Sequence, residues 1–185
     1  DQDDIDAVVE VLKSDLITQG PVSKKFEADV CAYTQTKYAV ACCNGTAALH
    51  LACLSLGVGE GDVVWTVPNT FVASANCALY CGADIDFVDI DAVTLNISIG
   101  ALTEKLENAA KLGALPKALV IVHFAGKPCD MEQIHQLAKQ YGFYVIEDAC
   151  HALGSEYSQA KIGACLLSDI AVFSFHPVKS ITTGD

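Results

Sequence analysis

The sequence predicts an α/β fold, in which a mainly parallel sheet lies between two layers of helices in a three-layer α/β/α arrangement. The chain has 185 residues and is 52% hydrophobic, which suits one domain with a sizeable core. Six short runs of apolar and β-branched residues are typical of strands that are covered on both faces. Helical patterns long enough to act as crossovers separate most of these runs, as parallel neighbours require.

The elements follow in order from their periodicity and from their Gly and Pro boundaries. Two helices come first, in IDAVVEVLKS and, after Gly20-Pro21, in SKKFEADVCAYT. The run YAVACC, residues 38–43, is predicted as the first strand, and the helix AALHLACLSLG follows it. The remaining elements are strand DVVWTV, helix FVASANCALYCG, strand DIDFVDI, helix GALTEKLENAAKLG, strand KALVIVHF, helix DMEQIHQLAKQYG and strands FYVIEDA and SDIAVFSF. No repeat or linker interrupts the pattern, so we expect a single domain over residues 1–185.

Charge and cysteine content argue against several classes of function. The net charge is −12 and the 11 basic residues form no stripe, which disfavours nucleic-acid and membrane-surface partners. No apolar run approaches the roughly 18 residues that a membrane-spanning helix needs. The nine cysteines are odd in number, have no CxxC spacing and lie mostly in apolar segments. They indicate buried reduced thiols in a cytoplasmic protein, and neither disulfides nor a metal site.

Polar residues follow several of the predicted strands, at the points where the strands end. Ligands of parallel α/β sheets bind at the carboxyl ends of the strands, so these residues are expected to share one rim. The group consists of residues 44–46, residues 69–71, His123, Asp148, His151, Ser174, His176 and Lys179. The sequence therefore predicts a ligand site at this edge of the sheet.

Two parts of the rim suit a phosphate group. Gly45 and Thr46 open a helix directly after a strand, where free backbone N–H groups and the helix dipole favour an anion. Ordinary capping of the helix is the alternative. Ser174 is a further candidate for a phosphate contact, although a loop serine would look no different. The chain has no GxGxxG or Walker motif, so neither a dinucleotide nor a nucleoside triphosphate is indicated.

The other parts suit an aromatic heterocycle that carries an aldehyde. Lys179 lies just after the last strand, where its amine would form an imine with a carbonyl group; a solvent-exposed lysine is the alternative. Asp148 ends a buried strand, where a carboxylate would pair with a cationic ring nitrogen or merely cap the next turn.

Two more side chains complete this candidate site. Phe71 would stack on the ring or belong to the core. His151 would hydrogen-bond a ring hydroxyl or play a structural part. A phosphate cradle, a carboxylate for a ring nitrogen and an imine-forming lysine are together the parts of a pyridoxal 5'-phosphate site.

Several stretches of the chain resemble a known family, the sugar aminotransferases of the DegT/DnrJ/StrS group. These stretches are LITQGP, NGTAALHLA, GDVVWTVPNTFVASANCALYCGADIDFVDID, HFAGKPCDM, VIEDACHALGSEY and DIAVFSFHPVKSITTGD, in the family's order. The resemblance implies the large domain of PLP-dependent transferase fold type I, as in aspartate aminotransferase, truncated at both termini. The family's seventh strand and C-terminal small domain would then lie outside residues 1–185. The family usually reads Gly-Glu-Gly-Gly where this chain ends Gly184-Asp185.

The resemblance also assigns roles to the candidate residues. Lys179 matches the lysine that links to pyridoxal phosphate and shuttles the proton, and Asp148 matches the partner of the ring nitrogen. The other matches are His151 at the ring hydroxyl, Phe71 at the ring face, Gly45, Thr46 and Ser174 at the phosphate, and Thr18 and Gly20 near the sugar. A homodimer with shared active sites is implied as well.

The implied reaction moves an amino group from L-glutamate to C4 of a UDP-4-keto-6-deoxy-N-acetylhexosamine, as in pseudaminic acid biosynthesis. Three alternatives remain. Related dehydratases carry histidine in place of the lysine, so Lys179 favours transamination. A cysteine desulfurase would need a mobile catalytic cysteine, and none of the nine is so placed. The third alternative is a catalytically silent sensory or scaffold protein that binds the cofactor.

Overall fold

The computed structural model describes residues 1–184, so Asp185, where the chain departs from the family's glycine-rich pattern, lies outside the described residues. The chain divides into two compact units, Asp1–Ala41 and Cys42–Asp185. Each unit is described by itself, and the single domain expected over residues 1–185 stays a prediction.

The first unit contains two helices, α1 (Gln2–Lys13) and α2 (Pro21–Thr34). Asp1 begins α1 with a capping box, in which its side chain accepts from the N–H of Asp4 and the Asp4 side chain accepts in return. Pro21 opens α2 at a position where no N–H is needed. Both helices begin and end close to where the periodicity of the sequence predicts them.

The second unit is built on a five-stranded sheet in which all neighbours are parallel. Its strands are β1 (Val63–Thr66), β2 (Asp84–Phe87), β3 (Ala118–Val122), β4 (Tyr144–Asp148) and β7 (Ile170–Val172). They lie in the order β2-β1-β3-β4-β7. Two short strands, β5 (Glu156–Tyr157) and β6 (Ala160–Lys161), form a separate antiparallel hairpin.

Four helices cover both faces of the sheet, and the last three of them connect consecutive strands. They are α3 (Gly45–Ser55), α4 (Ala73–Tyr80), α5 (Ile99–Leu112) and α6 (Met131–Tyr141), and a 3₁₀ turn covers Phe124–Gly126. One core packs α5 and α6 against odd-numbered strand residues such as Leu119 and Val145. The other packs α3 and α4 against even-numbered ones such as Val120 and Ile146. This three-layer arrangement confirms the predicted fold class, because alternate residues of a strand point to opposite faces.

One predicted strand is wrong, and one hairpin was not predicted. Residues 38–43 form no strand, and Tyr38 and Val40 are exposed. A strand needs a neighbour for its backbone hydrogen bonds, and none of the strands within residues 1–184 pairs with this segment. Instead, the backbone N–H of Ala41 donates to the Glu27 carboxylate. The hairpin of β5 and β6 has only two residues in each strand, which is too short for a periodic signal.

Candidate active site

Asp148 lies at the carboxyl end of β4 and is buried, with 6% of its surface exposed. Its Oδ2 accepts a hydrogen bond from the Ser74 hydroxyl at 2.6 Å, and its Oδ1 accepts from the backbone N–H of Cys150 at 3.3 Å. Donors at both oxygens suit an ionised carboxylate. Each oxygen still has a lone pair for a further donor, such as the N–H of a protonated ring.

The hydroxyl that holds Asp148 is itself held by a second hydroxyl. Ser74 lies in the first turn of α4 and is completely buried, and its Oγ is 2.7 Å from Oγ1 of Thr70. The single hydroxyl hydrogen of Ser74 is donated to Asp148, so Thr70 must be the donor in the second bond. Thr70, Ser74 and Asp148 therefore form a directed hydrogen-bond chain, which we call the Thr70–Ser74 relay.

Gly45, the first residue of α3, lies where three segments of the chain meet. A Cβ placed on Gly45 would lie 3.3 Å from Sγ of Cys150 and 3.3 Å from Cβ of Ser174. The backbone N–H groups of Gly45 and Thr46 have no acceptor among residues 1–184, because the Asn44 cap satisfies the N–H of Ala47. Two free N–H groups at a helix start beside a serine are a suitable cradle for a phosphate.

Lys179 and His151 are in direct contact. Nζ of Lys179 lies 2.9 Å from Nε2 of His151. An ammonium group only donates, so Nε2 accepts this bond whenever the lysine is protonated. The turn that carries the lysine is closed by the backbone N–H of Lys179, which donates to the carbonyl of His176 at 2.9 Å.

Both Asp148 and Lys179 influence the pKa of the Cys150 thiol. Burial raises the pKa of this thiol well above its ordinary value, and the Asp148 carboxylate raises it further. The Lys179 ammonium lowers the pKa of the same thiol. The thiol is also the atom that a Cβ on Gly45 would approach to 3.3 Å, next to Ser174. That these residues form one ligand site stays a prediction.

The remaining predicted site residues are Phe71, Thr46, Thr18 and Gly20. Phe71 is 71% exposed directly after Thr70, so it is no core aromatic and its ring is free to stack. Thr46 is partly buried in the first turn of α3. Thr18 and Gly20 belong to the first unit, in the connection between α1 and α2, and their part in a sugar site stays a prediction.

His123 does not point to the rim group, although it was expected there. It is buried on the other face of the sheet, and its Nε2 is 2.8 Å from Oε2 of Glu147. Its Nδ1 accepts from the backbone N–H of Cys129 at 3.1 Å, so the proton of the neutral ring is on Nε2 and is donated to Glu147. The second oxygen of Glu147 accepts from the Ser168 hydroxyl. Asp148 is on the opposite face because neighbouring residues of a strand alternate.

Sequence reasoning missed Ser74 as a member of the site, although it placed Thr70 at the rim among residues 69–71. Ser74 stands inside the apolar helical run FVASANCALYCG, where a small residue is expected for packing alone. A buried hydroxyl needs a hydrogen-bond partner, and this rule is the one signal in the sequence that Ser74 has a polar contact. The partner lies 74 positions away in the sequence, and only the fold brings it into reach.

A separate cleft of about 510 Å³ lies beside the start of α5, and no predicted site residue lines it. Asp91 and Asp130 are among its lining residues. Burial alone would raise the pKa of Asp130, but hydrogen bonds from Gln133 and Tyr157 outweigh it and hold that pKa below its ordinary value. Both carboxylates accept hydrogen bonds from the chain itself.

All nine cysteines are free thiols, of which Cys53, Cys77 and Cys129 are buried while Cys42 and Cys43 are exposed. Within residues 1–184 no group of three or more His, Cys, Asp or Glu side chains is placed to hold a metal ion. No helix in the described part of the chain is both long and apolar enough to cross a membrane.

Comparison with known proteins points to one family. The model of the DegT/DnrJ/EryC1/StrS aminotransferase family matches residues 1–185. The UDP-4-amino-4,6-dideoxy-N-acetyl-beta-L-altrosamine transaminase of Campylobacter jejuni is 43% identical over 184 residues, which are 99% of this chain and 47% of that protein. The chain thus spans about half the length of the curated relatives it matches.

Solved structures agree with this match. Helicobacter pylori PseC, described as an aminotransferase involved in the biosynthesis of pseudoaminic acid, superposes with a TM-score of 0.91 at 37% identity. The match covers 100% of this chain and 48% of PseC. The PLP form of a putative sugar aminotransferase from Streptococcus pneumoniae gives a TM-score of 0.89 at 32% identity, over 100% of this chain and 49% of that one.

Proposed function

The chain belongs to the DegT/DnrJ/EryC1/StrS aminotransferase family, and on that premise we propose that it carries the cofactor-binding half-site of a nucleotide-sugar aminotransferase. The cofactor is pyridoxal phosphate, and the amino donor is L-glutamate. The acceptor is C4 of a UDP-4-keto-6-deoxy-N-acetylhexosamine. L-Glutamate leaves as 2-oxoglutarate, and the C4 carbonyl of the sugar becomes an amine.

The residues of the rim fit the cofactor. When bound, pyridoxal phosphate supplies an aldehyde that accepts amino groups and a ring that takes up the electrons of the reacting carbon. The free N–H groups of Gly45 and Thr46, together with the Ser174 hydroxyl, would hold the phosphate, because a helix start favours an anion and the Ser174 side chain lies beside Gly45. The exposed ring of Phe71 would cover one face of the heterocycle.

Two side chains carry the proton chemistry of this proposal. The Asp148 carboxylate would hold a proton on the ring nitrogen, because an anion in a buried position favours a cationic partner. The Lys179 amine would link to the cofactor aldehyde and, when released, move the proton to and from the reacting carbon. His151, which already contacts Nζ of Lys179, would orient that amine and hydrogen-bond the ring hydroxyl.

The choice of substrate rests on the relatives. The printed name of the Campylobacter jejuni relative supports the UDP-linked altrosamine product, and the likeness to PseC supports a place in pseudaminic acid biosynthesis. A homodimer with shared active sites and a cytoplasmic location are parts of the same proposal. The nine free thiols support the location, since cytoplasmic proteins keep thiols reduced.

The observation that carries the proposal is that Lys179 contacts His151 at 2.9 Å, in the segment that begins at Asp148 and whose Cys150 lies beside Gly45. The test is to incubate the purified protein with pyridoxal phosphate, L-glutamate and a panel of UDP- and dTDP-linked 4-keto sugars, followed by product mass and stereochemistry. We expect a UDP-linked amino sugar from the wild type and none from Lys179→Ala.

A matched control is Lys139→Ala, which removes an exposed lysine of α6 and should leave product formation unchanged. A wild type that binds the cofactor but never takes an amino group from L-glutamate would refute the aminotransferase and leave a silent binder. Product formation by Lys179→Ala would refute the assignment of the lysine.

A further inference from the structure

The proposed function gives Asp148 a role but assigns none to Ser74 and Thr70, the two hydroxyl donors of the Thr70–Ser74 relay. Ser74 is completely buried, and its hydroxyl forms hydrogen bonds with two side chains of the described residues 1–184, Asp148 at 2.6 Å and Thr70 at 2.7 Å. A buried serine on an apolar helix face costs stability unless its hydroxyl is bonded, and alanine would pack there equally well. The hydroxyl therefore needs an explanation beyond packing.

The direction of the relay supplies that explanation. Thr70 donates to Ser74, and Ser74 in turn donates to Oδ2 of Asp148, so the carboxylate receives a donor that is already polarised by another. This bond fixes the carboxylate plane, which a single terminal torsion would otherwise leave broad. A hydrogen bond donated to a carboxylate is charge-assisted, so it is stronger than a bond between two neutral groups.

We infer that Ser74 and Thr70 are positioning residues, which hold the Asp148 carboxylate as an oriented acceptor for the protonated ring nitrogen of the cofactor. This inference rests on the proposed function, since it concerns the ring-nitrogen contact of the same site. Ser74 acts on the cofactor only through Asp148. Thr70 acts one step further away, through Ser74.

The relay makes a prediction that general loss of structure does not make. The relay affects ligand affinity only through the bond between Asp148 and the ring nitrogen. Loss of the relay should therefore leave the affinity unchanged for a ligand that lacks this nitrogen. A suitable probe is 1-deazapyridoxal 5'-phosphate, in which carbon replaces the ring nitrogen while phosphate, hydroxyl and aldehyde remain. The dissociation constants of both compounds are measured by absorbance titration of the purified protein.

We expect Ser74→Ala to weaken pyridoxal phosphate about tenfold, which corresponds to 1.4 kcal/mol, and to leave the affinity for the deaza analogue within about twofold of the wild type. Thr70→Val, which removes the outer hydroxyl at constant shape, is expected to weaken pyridoxal phosphate about threefold. Thr70→Ser keeps the hydroxyl and should restore wild-type affinity. Ser55→Ala is the matched control, because its hydroxyl bonds only to a backbone carbonyl in α3.

Each outcome separates the relay from the proposed function. If Ser74→Ala weakens both compounds equally, the serine has a structural part only and the inference fails, while the proposed function stands. If Ser74→Ala binds pyridoxal phosphate as the wild type does, the inference fails in the same way. If the wild type binds neither compound, the proposed function fails and takes the inference with it.

Discussion

Replacing Gly45 with alanine tests whether the cradle at the start of α3 exists to admit a phosphate. The backbone of Gly45 is not in the left-handed region, so alanine meets no conformational strain there. Its new Cβ would lie 3.3 Å from Sγ of Cys150 and from Cβ of Ser174, which is a tight contact that requires both neighbours to give by a few tenths of an ångström. The question is whether folding or ligand binding is affected more.

The two effects on folding nearly cancel. Alanine is favoured over glycine in a helix by up to about 1 kcal/mol, and mild overpacking costs about 1 kcal/mol. We therefore expect the free energy of unfolding of Gly45→Ala to stay within about 1 kcal/mol of the wild type. Urea denaturation followed by circular dichroism measures this difference.

Ligand binding should change much more, because the added methyl group would lie 3.6 Å from Oγ of Ser174, which is part of the proposed cradle. One charge-assisted hydrogen bond to the phosphate is worth about 1.5–3 kcal/mol, so pyridoxal phosphate should bind roughly 10- to 100-fold more weakly. An absorbance titration measures the dissociation constant. Pyridoxal without the phosphate group should lose little affinity, since it makes no contact with the cradle.

Gly100→Ala in α5 is the matched control. Gly100 is also near a helix start, but the nearest atom to its added Cβ is Oγ of Ser98 at 3.9 Å. This variant should gain up to about 1 kcal/mol of stability and bind the cofactor normally. Wild-type affinity for pyridoxal phosphate in Gly45→Ala would refute the cradle. A loss of stability above about 3 kcal/mol would show that the glycine serves packing instead.

Three further predictions concern groups outside the cradle. His123→Phe removes the hydrogen bond that His123 gives to the buried Glu147 and should lower the free energy of unfolding by about 3–5 kcal/mol in urea denaturation. The double variant His123→Phe with Glu147→Leu should recover most of this loss. A loss below about 1 kcal/mol in the single variant would contradict the prediction. Burial raises the pKa of the Cys129 thiol to about 12, so iodoacetamide at about pH 8 should label the exposed Cys43 before Cys129. Peptide mass spectrometry measures the two labelling rates, and equal rates would argue against the burial of Cys129. The folded pKa of Asp130 lies below its unfolded value of about 3.9, so its contribution is complete above about pH 4 and is lost as the pH falls. Asp130→Asn should therefore flatten the acid side of a stability profile, and an unchanged profile would count against the shift.

Most elements of the second unit could be predicted from the sequence. Strands such as Ala118–Val122 and Tyr144–Asp148 are buried on both faces, so they appear as continuous apolar runs. Asp148, Ser174 and Lys179 could be placed on one rim because parallel strands bring their carboxyl ends to the same edge of a sheet. The family resemblance added the cofactor, and the family match of residues 1–185 agrees with it.

Other features depended on contacts that no local pattern contains. The run YAVACC resembles a buried strand, but a strand forms only where a neighbouring strand supplies its hydrogen bonds. His123 follows its strand as the rim residues do, yet the alternation of side chains sends it to Glu147 on the opposite face.

The sequence by itself determined the layers of this protein and predicted the edge of the sheet for its candidate site, because periodicity and chain direction are local properties. Only the tertiary structure decided that Ser74 holds Asp148, that His151 touches Lys179 and that Gly45 faces Cys150 and Ser174. The physical reason is that hydrogen bonds and close contacts join atoms by distance in space, and folding brings together residues that are far apart along the chain.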